Sequence, residues 1–330
     1  MSEALPSPPW RRPPRDQFPG VPAWSMPVTT VPQEPFDVSP SGPTPVTRDW
    51  AWGGADGSGV RVCVLDSGVE ADHPLIGGLD RAMDVRPDGS GALTVHAADP
   101  GEPGDTAGHG TACASIIRAL APGAAITSVR VLANGPHGGG AHGSGAALLT
   151  GLSWAIDEGY DVINTSLSTT KPEFRDALRD LADRAYFRRS VIVAAAHNMP
   201  VRSYPWLFPS VISVASHDGP DPRSFYYNPA PPVEFYARGV RVPVAGLGGG
   251  RLLSTGNSFA TPHIAGICAL ILGKHPALTP FQLKSVLYLT AENVTAMSAD
   301  ADTAARADAR AAAHTDAEGG HRADRTAPDR

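Results

Sequence analysis

The stretch Ser254-Thr255-Gly256-Asn257-Ser258-Phe259-Ala260-Thr261-Pro262-His263-Ile264-Ala265-Gly266 decides the fold. Gly256, two residues before Ser258, permits a tight backbone turn at a point where a Cβ would obstruct it. From Phe259 to Leu272 the residues are small and apolar, which predicts a buried helix. Pro262 is expected early in that helix, where first-turn amides have no intrahelical acceptor and proline is tolerated. A hydroxyl at a helix N-terminus meets free N–H groups and the positive end of the helix dipole, conditions that favour an oxyanion. Taken alone, Ser258 reads as a helix cap. A catalytic reading requires a base, an orienting carboxylate and a second oxyanion donor elsewhere in the chain.

The rest of the chain sets the context. With 330 residues and 42% hydrophobic residues it can bury one large α/β core, and no apolar run is long enough to span a bilayer. The net charge of -6 gives no reason to expect nucleic acid or an anionic membrane as a partner. Arg11-Arg12 is followed by Pro13-Pro14-Arg15-Asp16 rather than by an apolar segment, so no export signal is expected. Cys63, Cys113 and Cys268 are odd in number and lie in apolar segments, which suits buried free thiols in a reducing, cytoplasmic setting. Their spacing is not that of a metal site. Thirteen of the 33 prolines precede residue 48, so residues 1–47 are expected to be extended or disordered. Residues 296–330, rich in Ala, Asp and Arg without an apolar face, read as a second disordered tail.

Between the tails, residues 48–295 alternate strand and helix signals. Val60–Leu65, Ile126–Leu132, Asp161–Leu167, Val191–Ala196 and Val211–Ala215 read as buried parallel strands. Gly108–Ile117, Ala146–Glu158, Phe174–Phe187 and a helix capped by Thr279 before Pro280 read as helices. Asp84–Ala107 and Ser216–Pro232, rich in Asp, Gly and Pro or in polar residues, read as loops. The pattern predicts a three-layer α/β sandwich with a mainly parallel central sheet.

Three residues then acquire joint meaning. Asp66 ends the first strand, where open α/β sheets place ligand sites. His109 opens one helix and Ser258 another. Singly these are a turn aspartate, a packing histidine and a cap. In the order Asp, His, Ser they are the three types that nucleophilic catalysis needs: a hydroxyl, an imidazole to take its proton, and a carboxylate to fix the tautomer.

Over residues 50–290 the chain resembles the subtilisin-like serine proteases. Asp66-Ser67-Gly68, Gly108-His109-Gly110-Thr111 and Gly256-Asn257-Ser258-Phe259-Ala260-Thr261-Pro262 are similar to the family's Asp-Ser/Thr-Gly, His-Gly-Thr and Gly-Thr-Ser-Met-Ala-x-Pro motifs. Val191–Asn198 resembles the strand that ends in the family's oxyanion asparagine. The resemblance implies a serine endopeptidase with catalytic Asp66, His109 and Ser258. It implies an oxyanion hole of Asn198 and the Ser258 N–H. It also implies an extended peptide or protein substrate lying between Gly143-Ser144-Gly145 and Ser166-Leu167-Ser168, beside Ala196 and His197. The glycine-rich Asn134–Gly145 loop lacks the Lys-Ser/Thr ending of a phosphate cradle, and His137 and His142 are expected to be solvated.

Departures from the pattern carry their own expectations. His197 stands where the family has glycine, and Ser168-Thr169 where it commonly has Gly-Gly, which should narrow or polarise the first specificity pocket. Ala119-Leu120 runs directly into Ala121-Pro122-Gly123, leaving no room for the family's high-affinity calcium loop, so no metal and no cofactor are expected. No folded pro-segment is legible in the proline-rich head. The expectation is a selective intracellular processing protease. A maturation protease for one precursor, or a catalytically silent peptide-binding pseudoprotease, are the alternatives.

Overall fold

The computed structural model describes residues 46–134 and 141–294. In chain order the elements are α1 (Arg48–Trp52), β1 (Arg61–Asp66), β2 (Arg81–Pro87), β3 (Leu93–Ala97), α2 (His109–Leu120), β4 (Ala125–Arg130), β5 (Ala133–Asn134), β6 (Ala141–His142) and α3 (Gly145–Asp157). They continue with β7 (Val162–Thr165), α4 (Arg175–Phe187), β8 (Val191–Ala195), β9 (Ile212–His217), β10 (Phe225–Tyr227), β11 (Phe235–Arg238), β12 (Val242–Gly246), β13 (Gly250–Ser254), α5 (Asn257–Lys274) and α6 (Pro280–Thr290).

Nine strands form one sheet in the order β10-β11-β9-β8-β7-β1-β4-β2-β3. The pairings from β11 through to β2 are parallel, and the outermost pairs, β10 with β11 and β2 with β3, are antiparallel. The central strands β1, β4, β7 and β8 are buried nearly throughout because both faces are covered. Side chains alternate across a strand, and the two cores follow that alternation. Val62, Val64, Val191 and Val193 join α2 and α5 through Ile117, Ile264 and Leu270. Cys63, Leu65, Ile192 and Ala194 join α3 and α4 through Leu148, Leu152 and Leu178 on the other side. The result is the expected three layers around a mostly parallel sheet.

Two predicted loops contain strands. The stretch Asp84–Ala107 holds the end of β2 and all of β3, a hairpin that begins three residues earlier at Arg81 and is closed by Asp88, whose carboxylate accepts the N–H groups of Ser90 and Ala92 at 2.8 and 3.1 Å. Its polar composition hid Met83 and Val85, which pack toward the α3 layer, and Asp84, which is buried against Arg130 at 2.7 Å. Ser216–Pro232 holds the end of β9 and all of β10, which pairs with β11 beyond the loop at the sheet edge. The Thr279 signal reads correctly: its hydroxyl and Gln282 form a reciprocal capping box. Apart from Val46 and Thr47, which is the cap of α1, the two predicted tails lie outside the described residues, as do His137 and the side chain of His142. Among the described residues no helix is long and apolar enough to cross a membrane.

Candidate active site

The carboxyl ends of β1, β7 and β8 and the N-termini of α2, α3 and α5 converge on one cleft of about 780 Å³. Its lining includes His109, Gly143, Ser144, Gly145, Ser166, Leu167, Ser168, Ala196, His197, Asn198 and Ser258. Every predicted site residue except Asp66 is therefore on its wall, and Asp66 lies fully buried behind His109.

Asp66 is delivered by β1, and its Oδ1 accepts the Ser67 N–H at 2.7 Å. His109 is the first residue of α2, and its Nδ1 lies 2.8 and 3.0 Å from the two Asp66 oxygens. A carboxylate only accepts, so Nδ1 carries the proton and Nε2 of the neutral ring is left with a lone pair. Burial is the largest single influence and works against the imidazolium, but the Asp66 charge, the neighbouring Cys113 sulfur and the hydrogen bonds to both together hold His109 well above the ordinary histidine range. Phe259 packs against the ring at 5.2 Å between centroids. Cys113, one helical turn on, places Sγ 4.0 Å from Nδ1, and burial pushes its thiol up in pKa.

The start of α2 uses a residue that the sequence reading passed over. The cap position is Gly108, at φ 79° and without a side chain to cap. Asp105 substitutes: its buried carboxylate accepts from the Ala107, Gly108 and Thr111 amides, each at 2.9 Å, and from the Thr111 hydroxyl at 2.7 Å. It also accepts from Ser67 Oγ at 2.9 Å, so the residues beside Asp66 and His109 are tied to each other. An Asp four residues before a histidine in a Gly-rich run was the only available sequence signal.

Ser258 does not cap α5, contrary to the reading of the isolated residue. Gly256 holds the cap position without a side-chain bond, and Ser258 is the second helical residue. A Cβ at Gly256 would lie 3.2 Å from Ser258 Oγ and 3.5 Å from Asn198 Nδ2, so both groups surround the space that glycine leaves. Asn198 lines the cleft, and its Oδ1 accepts the Asn257 N–H at 3.0 Å, which fixes the amide by its oxygen and leaves Nδ2 out of that bond.

Pro262 requires a correction. It is the sixth residue of α5, beyond the first turn, and its missing N–H would have bonded the Ser258 carbonyl. That carbonyl instead accepts Ser166 Oγ at 2.8 Å and Cys113 Sγ at 3.4 Å. Ser166, predicted to contact substrate, thus lines the cleft while its hydroxyl supports the backbone of Ser258. Ser144 Oγ is likewise engaged, accepting the Ala147 N–H at 3.0 Å as the cap of α3. His197 Nδ1 accepts the Met199 N–H at 3.0 Å, which leaves the Nε2 side of the ring as the donor when neutral.

The comparisons with known proteins agree with this geometry. A family model described as the subtilase family matches residues 57–321. Subtilisin of Bacillus pumilus is 32% identical over 255 residues, covering 72% of this chain and 86% of that protein. Subtilisin E of Bacillus subtilis (strain 168) is 32% identical over 255 residues, and the match spans 72% of this chain and 62% of that protein's length. Among solved structures, a cold adapted subtilisin-like serine proteinase superposes with a TM-score of 0.55 and 27% identity, over 70% of this chain and 82% of that one. The chain belongs to the subtilase family of subtilisin-like serine endopeptidases.

Proposed function

We propose that this protein hydrolyses peptide bonds with Ser258 as nucleophile, His109 as general base and acid, and Asp66 as the group that fixes the imidazole. The observation that carries the assignment is the double contact of His109 Nδ1 with Asp66, at 2.8 and 3.0 Å, beside a cleft that His109 shares with Ser258 and Asn198. Nε2 takes the hydroxyl proton as Ser258 Oγ attacks the scissile carbonyl, and returns it to the leaving amine as the acyl-enzyme forms. Water then enters, gives its proton to the same nitrogen, and releases the acid product. Asn198 Nδ2 and the Ser258 N–H supply the oxyanion donors, backed by the helix dipole of α5.

The substrate strand lies between the Gly143–Gly145 and Ser166–Ser168 segments. Selectivity rests on His197, Ser168 and Thr169, which give the pocket polar side chains on its wall. The Thr169 segment is held by two backbone bonds to Tyr204 at 2.9 Å each, which restricts how far that wall yields to a larger side chain. The three buried, unpaired cysteines support action in a reducing compartment. Mass spectrometry of products from a proteome-derived peptide library tests the reading. A narrow preference for the residue preceding the cut is expected; wide tolerance there would overturn the selective role.

A further inference from the structure

Asn257 stands where the family motif has threonine, and it is completely buried. Its side chain joins three parts of the molecule. Oδ1 accepts the Ser216 N–H at 3.0 Å and the Ser216 hydroxyl at 2.9 Å, at the end of β9. Nδ2 donates to the carbonyls of Ala196 at 3.1 Å and His197 at 3.4 Å, in the segment after β8. Its backbone N–H donates to Asn198 Oδ1 at 3.0 Å, and the next residue is Ser258. The two oxyanion donors of the proposed site thus sit on different segments, one on the loop after β8 and one on α5, and Asn257 is bonded to both. A hydrogen-bonded amide with no solvent exposure has little freedom to shift, because each displaced bond would leave a buried polar group unpaired.

We propose that Asn257 is the positioning residue of the oxyanion hole: it sets the separation of Asn198 Nδ2 from the Ser258 N–H by clamping the Ala196–Asn198 backbone to the start of α5. This rests on the assignment of Asn198 and Ser258 made above. Asn257 is fully buried and is not part of the cleft wall, so its effect passes through Asn198. Donors must meet the oxygen of the tetrahedral intermediate within hydrogen-bond distance, and small displacements weaken them in the transition state more than in the ground state.

Asn257→Asp keeps the size and the acceptor for Ser216 but replaces the donor to the Ala196 and His197 carbonyls with an oxygen that repels them. Asn257→Ser, which removes the clamp without adding charge, is the second variant should the carboxylate prevent folding. Each is measured alone and in an Asn198→Ala background, with active sites counted by fluorophosphonate titration. On the Asn198-containing enzyme, kcat is expected to fall about 10- to 100-fold, with KM within about threefold. The inhibition constant of a peptide aldehyde, which mimics the tetrahedral adduct, is expected to rise by the same factor as kcat falls. In the Asn198→Ala background the same substitutions should cost less than about threefold, since the donor that they misplace is gone. Equal losses in both backgrounds, or a rise in KM with kcat unchanged, would overturn the inference while leaving the site itself intact. Failure of Asn198→Ala to lower kcat would instead count against the oxyanion assignment on which the inference rests.

Discussion

Ser166→Ala offers a quantitative test of how the Ser258 backbone is supported. Pro262 deprives the Ser258 carbonyl of its helical donor, and Ser166 Oγ supplies the replacement at 2.8 Å. The same oxygen accepts from Asn164 Nδ2 at 3.0 Å, and Asn164 Oδ1 is already buried without a partner among the described residues. Removing the hydroxyl leaves Asn164 Nδ2 without this acceptor and leaves the Ser258 carbonyl with only the weak Cys113 thiol donor. At about 1–3 kcal/mol for each of these two buried polar groups, the loss should be about 2–6 kcal/mol. Pro262→Ala returns an N–H at the position that can reach the Ser258 carbonyl. It should recover about 1 kcal/mol of the Ser166→Ala loss beyond its own effect, and a double-mutant cycle isolates that share. Urea denaturation of the four proteins, each carrying Ser258→Ala to prevent self-cleavage, gives the numbers. A Ser166→Ala cost below about 0.5 kcal/mol, or additivity within that error, would show that Ser166 does not replace the donor that Pro262 removes.

Three further outcomes follow from the site. As the proposed base His109 must be neutral, and Asp66 with Cys113 holds that ring above the ordinary range despite burial, so the acidic limb of kcat/KM against pH should have its midpoint above about 6.5; a midpoint at or below that value would contradict the contact. The linkage has the opposite sense for folding: the His109–Asp66 contribution to stability is complete below the unfolded histidine pKa and is lost as pH rises through the raised folded value. Asn198→Ala should lower kcat on the order of 10²–10³-fold with little change in KM, measured on the peptide that the library selects. A bulky mercurial should inhibit by entering beside Cys113, whose Sγ is 4.0 Å from His109 Nδ1, and Cys113→Ser should abolish that sensitivity; unchanged inhibition of the variant would assign the effect to Cys63 or Cys268.

The parts of this molecule that were legible in its sequence are those set by local pattern. Continuous apolar runs such as Val62–Leu65 mark strands covered on both faces, and a polar residue at the end of such a run, as at Asp66, marks the edge where ligands bind. The β2–β3 hairpin was not legible, because its residues alternate about a polar turn and only tertiary packing reveals which face is buried. Pro262 was misplaced by a few residues, since helix starts are weakly encoded when the cap is a glycine with no side-chain bond. The role of Asp105 at the start of α2, the support that Ser166 gives to the Ser258 carbonyl and the bonds of the Asn257 side chain were not legible for a different reason. Each acts on backbone groups that come near it only when the sheet has formed, and no spacing in the chain announces a carboxylate, hydroxyl or amide that will serve a distant loop.

Covalent labelling separates a Ser258 nucleophile activated by His109 and Asp66 from a serine that only lines the cleft. A fluorophosphonate probe should label the wild-type protein at one site, identified as Ser258 by peptide mass spectrometry. Labelling should disappear in Ser258→Ala and fall severely in His109→Ala. A folded wild-type protein that takes up no probe, or labelling that persists in Ser258→Ala, would contradict the account.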